Sequence, residues 1–441
     1  MVKEYLLKLG YSNEDIEKIL SSYALKSLKE DTLLIHIKNN YNLLISLGYS
    51  HEDVIKMTKT FPSLYSYSIE NIKQKIEDLV SLGYNRADVI KMTKTLPSLY
   101  GLGIENINQK IEDLVSLGYK RADVIKMTKS SSSLYSYSIE TIKQKIEDLV
   151  SLGYSHEDVI KMTKSLPNLY SYSIENIKQK IEDLVSLGYN RADVIKMTKL
   201  LPSLYSYSIE TINQKIEDLV SLGYNRADVI KMTKSLPSIY GLSIETINQR
   251  IEDLVSLGYN RADVIKMTKS LPSLYGLGIE NINQKIEDLV SLGYKRADVI
   301  KMTKTLPSIY GLSIENIKQK IEDLVSLGYS HEDVIKMTKS LPSIYGLSME
   351  NINQKIIFLR EINLDFIVVD DTKKLMQSID LTYARYMFLR EKGIEITRDN
   401  YKRLFYNAKQ FEKQYGIDKS TLLEKYSYQE YINNKNKASS M

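Results

Sequence analysis

The side chains best placed to do chemistry are Lys56, Lys59 and Thr60, and they return every 35 residues. The copies are Lys91, Lys94 and Thr95; Lys126, Lys129 and Ser130; Lys161, Lys164 and Ser165; Lys196, Lys199 and Leu200; Lys231, Lys234 and Ser235; Lys266, Lys269 and Ser270; Lys301, Lys304 and Thr305; Lys336, Lys339 and Ser340. Ammonium groups at such spacing suit phosphate oxygens, and short side chains switching between hydroxyl and apolar types beside them suit base edges. Six arginines, Arg86, Arg121, Arg191, Arg226, Arg261 and Arg296, add charge where a copy reads N-R-A or K-R-A instead of S-H-E. A row of lysines also keeps a helix edge soluble, and composition alone favours that plainer account.

Other candidate chemistry is sparse. Of the four histidines, His51, His156 and His331 hold equivalent positions one or more repeats apart, a spacing that prevents convergence on a metal. Asp370 and Asp371 are expected to precede or cap a helix at Thr372 rather than to bind an ion. There is no cysteine, and no phosphate loop, nucleophile motif or paired carboxylate arrangement occurs. The expectation is a protein that is not an enzyme, with no cofactor and no metal.

The interval itself dictates the architecture. Nine copies of one 35-residue unit run from Ser46 to Arg360. Such self-similarity marks an α-solenoid, whose units bury their apolar faces on their neighbours. Within one unit, Ser50 can cap a helix reaching about Thr60 before Pro62 stops it, with Val54, Met57, Thr58 and Phe61 facing inward. Ser68 caps a second helix with Ile69, Ile72, Ile76, Leu79 and Leu82 at helical steps, and Gly83 suits a left-handed end. The turn between them has room for a short 3-10 segment, Tyr65 reads as core packing, and Tyr67, exchanging with leucine among copies, as half-buried. Lys120 and Lys295 replace the capping residue and place a cation at the positive helix end, a change that costs stability.

Charge separates by helix. In the unit from Ser81, the first helix carries Arg86, Asp88, Lys91 and Lys94 and the second Glu105, Lys110, Glu112 and Asp113. Stacked in register, first helices form a basic ribbon and second helices an acidic one, so a polyanion can track one edge although the net charge is only +5. Hydrophobic content of 43% sustains a continuous core. No apolar run reaches the roughly 18 residues of a membrane span, and the N-terminus lacks a signal-peptide layout.

The order L-G-Y-S-x-E-D-V-I-K-M, five residues, Pro, then L-Y-S-Y-S-I-E-N-I-K-Q-K-I-E-D-L resembles the repeat of the mitochondrial transcription termination factor family. Eight units keep the proline, at 62, 97, 167, 202, 237, 272, 307 and 342, while Ser132 replaces it in one, where a local irregularity or hinge is expected. The string G-Y-N-R-A-D-V-I-K-M is also similar to the first helix of transcription activator-like effector repeats of bacterial endosymbionts, though 35 residues and Pro-Ser depart from that pattern. These resemblances imply an all-α, superhelical solenoid that binds double-stranded DNA, with RNA not separated from it. On these resemblances the lysines and arginines named above are expected to lie on the nucleic-acid backbone and the Thr60 series on bases. The other function kept open is a protein-binding solenoid, an effector or scaffold using the Tyr/Leu turn row.

Residues 1–45 are expected to form a degenerate N-terminal capping repeat, and 361–430 a helical C-terminal cap with helices near 381–393, 397–414 and 419–427. A disordered tail is expected over 431–441. The protein is expected to act as a monomer in transcription regulation, in a bacterial cytoplasm or delivered to a host nucleus or organelle.

Overall fold

Each 35-residue unit folds as a ten-residue helix, a 3-10 segment and a thirteen-residue helix, in the first copy His51–Thr60, Pro62–Ser66 and Ile69–Ser81. The computed structural model describes residues 1–439, all of it helix, turn and loop without a strand. Ser50 and Asp53 close a reciprocal capping box at the first helix, and Ser68 accepts from the Asn71 amide at the second. Pro62 starts the 3-10 segment because its fixed φ and missing N–H suit a helix start and nothing further in. Gly83 sits at φ +111°, a backbone state that side chains with a Cβ rarely adopt.

Val54, Met57, Leu64, Tyr65, Ile72, Ile76 and Leu79 are all at most 3% exposed. Full burial of each such side chain contributes about 1.5–3 kcal/mol. A two-helix unit has too little of this by itself; its core closes only against the next copy. The fold is an all-α solenoid of tandem repeats.

The chain divides into two compact units, Met1–Asp218 with Val229–Gly241 and Leu219–Asp228 with Leu242 onward. In the first, residues 2–46 supply four helices, and Tyr11, Ser12 and Asp15 occupy the places that Tyr49, Ser50 and Asp53 hold one copy later. In the second, Arg385 is 1% exposed and ties the last helices together. Its guanidinium donates to the carbonyls of Leu404 (2.9 Å) and Tyr406 (2.6 Å) and packs over the Phe411 ring. Burial without a partner carboxylate pulls it down to about 10.

Three expectations need correction. The unit with Ser132 is regular: Ser132–Ser136 is 3-10 like the others, and Ser131 holds φ −139°, ψ 79° against −131°, 78° at Leu96. Tertiary packing imposes the turn even without the proline. The stretch 397–414 is not one helix but a 3-10 segment, Tyr401–Phe405, then Ala408–Tyr415, because Asn407 caps a new start. Asp371 does precede a helical segment, the 3-10 turn that starts at Thr372, as expected, and its carboxylate accepts from the Tyr401 hydroxyl at 3.0 Å. The polar terminus is helical over Tyr428–Ser439, held by Tyr428 and Tyr431 against Phe358 and Tyr383, while 440–441 lie outside the described residues.

Candidate nucleic-acid interface

Three rows of side chains run along the first helices within each unit, and the structure treats them differently. Lys56 and Thr60, one helical turn apart, are exposed in every copy, whereas Lys59 leans across to the preceding copy. Its ammonium meets the capping-box aspartate there: Lys59–Asp15 at 2.7 Å, Lys94–Asp53 at 2.6 Å, Lys129–Asp88 at 2.6 Å, Lys164–Asp123 at 3.0 Å, Lys199–Asp158 at 2.7 Å and Lys234–Asp193 at 2.7 Å in the first unit. Lys269–Asp228, Lys304–Asp263 and Lys339–Asp298 repeat it in the second, at 2.6, 2.7 and 3.3 Å. Lys59, followed by the Ser12 hydroxyl, holds the Asp15 carboxyl at about 2; Lys199, followed by Ser155, does the same at Asp158. The aspartate thus caps its own helix and fixes the next.

The arginines also point inward along the chain. Arg86, Arg121, Arg191, Arg261 and Arg296 pair with Glu77, Glu112, Glu182, Glu252 and Glu287, nine residues back on the preceding second helix. Arg121, Arg261 and Arg296 donate as well to Asn108, Asn248 and Asn283, at 3.1, 3.0 and 3.2 Å.

What stays without an acidic partner among the described residues is the Lys56 row: Lys56, Lys91, Lys126, Lys196 and Lys231 in the first unit, Lys266 and Lys301 in the second. Lys161 pairs with Glu157 and Lys336 with Asp370, at 2.7 and 2.9 Å. In seven of the nine copies the first helix therefore presents one Lys56-type cation without an acidic partner among the described residues, its other cations being paired. Pairs this exposed open readily, since each is worth about 0.2–1 kcal/mol.

Beside the free row lie Thr60, Thr95, Ser130, Ser165, Leu200, Ser235, Ser270, Thr305 and Ser340, all exposed, with Leu200 at 60%. In the second unit a groove of about 520 Å³ opens along this edge, lined by Lys301, Met302, Thr305, Lys339, Ser340 and Lys373 among others. The Tyr/Leu turn row is half-buried at Tyr67, Tyr137, Tyr172 and Tyr207.

A tyrosine ladder, not anticipated from sequence, fixes how copies seat on one another. The tyrosine of each L-G-Y enters the next copy and meets a threonine and a tyrosine hydroxyl: Tyr49 with Thr93 (2.5 Å) and Tyr100 (2.8 Å), Tyr119 with Thr163 and Tyr170. Burial pushes the Tyr65 and Tyr100 phenols well above their usual range, so they stay neutral hydrogen-bonding groups. The ladder ends at Tyr329, whose hydroxyl is buried without a partner. Its signal was present, an unvaried tyrosine after each glycine and an unvaried threonine two residues after each Lys56-type lysine, but nothing in spacing says that they touch.

Second helices add one more tie: Lys75, Lys110, Lys145 and Lys180 donate to the carbonyls of Leu102, Tyr137, Tyr172 and Tyr207 in the following copy, at 2.5–2.7 Å. Among the described residues no three histidine, cysteine or acidic groups converge as a metal site, and no helix is long and apolar enough to cross a membrane.

The family model for mTERF matches the chain over residues 1–151, 71–187, 114–256 and 245–411. No curated protein sequence matches it.

Proposed function

The chain belongs to the mTERF family, whose repeats are nucleic-acid-binding helical repeats, and from that premise we propose that it binds double-stranded DNA as a modular backbone reader. The observation that carries the reading is the Lys56 row: within each compact unit an exposed cation without an acidic partner recurs along the first helices while the Lys59-type cations are tied between copies. Phosphates lie on that row, and the Thr60-to-Ser340 row beside it faces the bases. The Lys59 series and the arginines act first as struts; a phosphate recruits them only by opening their pairs.

The protein acts as a monomer in transcription regulation, in a bacterium or in a host cell that receives it. Duplex affinity measured against salt tests the reading. Seven phosphate contacts give a slope of log affinity against log salt near −6, and a slope near zero overturns it.

A further inference from the structure

The exposed row next to the lysines carries a chemical asymmetry. A hydroxyl has one proton to give and two lone pairs to receive with. In Thr60, Ser130, Ser165, Ser235 and Ser270 that proton is spent on the carbonyl three residues back, Met57, Met127, Met162, Met232 and Met267, at 2.9 Å in each case. Thr305 gives its own to Lys301 at 2.8 Å. What these side chains turn to solvent is therefore an acceptor. Leu200 is the one member with no polar atom, and it stands 60% exposed.

Resting on the reading above that this row faces bases, we propose that these seven positions select by acceptor and methyl alone: each of the six back-bonded hydroxyls favours adenine or cytosine, and Leu200 favours thymine. In the major groove, adenine N6 and cytosine N4 are donors that a lone pair can receive. Guanine offers only acceptors, which repel it, and thymine offers an acceptor and a 5-methyl group. One neutral hydrogen bond favours the amino-bearing base by about fivefold. One methyl buried on Leu200 favours thymine over uracil by about fourfold.

Thr95 is the exception, masked by Ser132. The Thr95 hydroxyl donates to the Met92 carbonyl at 2.9 Å and lies 2.7 Å from the Ser132 hydroxyl, which is buried where the other copies have proline. With the Thr95 proton committed, Ser132 is the donor, and it occupies one of the two lone pairs open to a base. This repeat reads weakly.

The test is selection from random duplexes by the full chain, then affinity on the selected site. The expected site has adenine or cytosine at the repeats of Thr60, Ser130, Ser165, Ser235, Ser270 and Thr305 and one thymine whose replacement by deoxyuridine weakens binding about fourfold. Leu200→Ser is expected to change that single position to adenine or cytosine and to abolish the deoxyuridine effect; at an exposed position it leaves the fold alone. Ser132→Pro is expected to create a preference at the Thr95 position. Duplex binding with a site unchanged by Leu200→Ser, or indifferent to deoxyuridine at every thymine, overturns the selection rule while leaving the DNA-binding proposal standing. No duplex binding at any salt removes both.

Discussion

Neutralising the Lys56 row and neutralising the Lys59 row remove the same formal charge from the same helices, yet the structure requires opposite outcomes. Lys56, Lys91 and Lys126 have no acidic partner, whereas Lys94, Lys129 and Lys164 hold Asp53, Asp88 and Asp123. Seven free ammonium groups on seven phosphates give a salt slope near −6, each phosphate contributing about 0.9. Changing Lys56, Lys91 and Lys126 to glutamine removes three contacts and should bring the slope to about −4, with melting temperature unchanged. Changing Lys94, Lys129 and Lys164 to glutamine should leave the slope near −6. It should instead cost about 0.2–1 kcal/mol of stability per pair, which a denaturant titration followed by circular dichroism resolves. Fluorescence anisotropy on one labelled duplex from about 50 to 400 mM salt supplies the slopes. Equal slope losses from both triple variants would refute the division of labour, because the pinned lysines would then be reaching phosphates as freely as the others.

Further outcomes follow from the junctions. Tyr119→Phe removes the hydroxyl shared by Thr163 and Tyr170 and should destabilise that junction by about 1–3 kcal/mol, seen as faster amide exchange there than at distant copies. Lys120 and Lys295 start helices without a side-chain cap, so Lys120→Asn should stabilise by about 1 kcal/mol, read from thermal melting, matching the Asn85 cap. Asp15 and Asp158 are held at about 2, below the unfolded value near 4; their contribution is complete above pH 4 and is lost as pH falls toward 2. Helicity should therefore drop across that window, and Lys199→Gln should move the Asp158 part of the drop to higher pH.

The repeat, the helix limits and the inward-facing residues were legible because each rests on local rules: capping serine, 3.6-residue periodicity, proline stop and glycine end. The exposed Thr60 row was legible for the same reason, since an offset of one turn from Lys56 fixes its direction. The partners of charged side chains were not. Lys59 and Lys56 differ by three residues, or most of a turn, which leaves the first beside the preceding copy's aspartate and the second in solvent, and the angle at which copies seat is set by the tyrosine ladder. That ladder joins residues 44 and 51 apart, as in Tyr49 with Thr93 and Tyr100, separations that no periodicity within one unit reveals.

The variable helix starts make the same point about pairing. Each of Arg121, Arg226, Arg261 and Arg296 follows an asparagine thirteen residues earlier, Asn108, Asn213, Asn248 and Asn283, and each of His51, His156 and His331 follows a lysine at that distance, Lys38, Lys143 and Lys318. Unselected drift gives no reason for two positions to change together, and phosphate contact involves only one of them. The geometry does give a reason: a guanidinium that reaches back to a glutamate passes within 3.0–3.2 Å of the asparagine oxygen, a place where a lysine ammonium repels it. Lys73 with Arg86 and Lys178 with Arg191 keep the unfavourable pair, and in both the arginine holds the glutamate without an asparagine contact. Part of what varies among these copies is therefore the joint between them, and the Thr60 row, which touches no such partner outside Thr95, is where variation is free to follow a ligand.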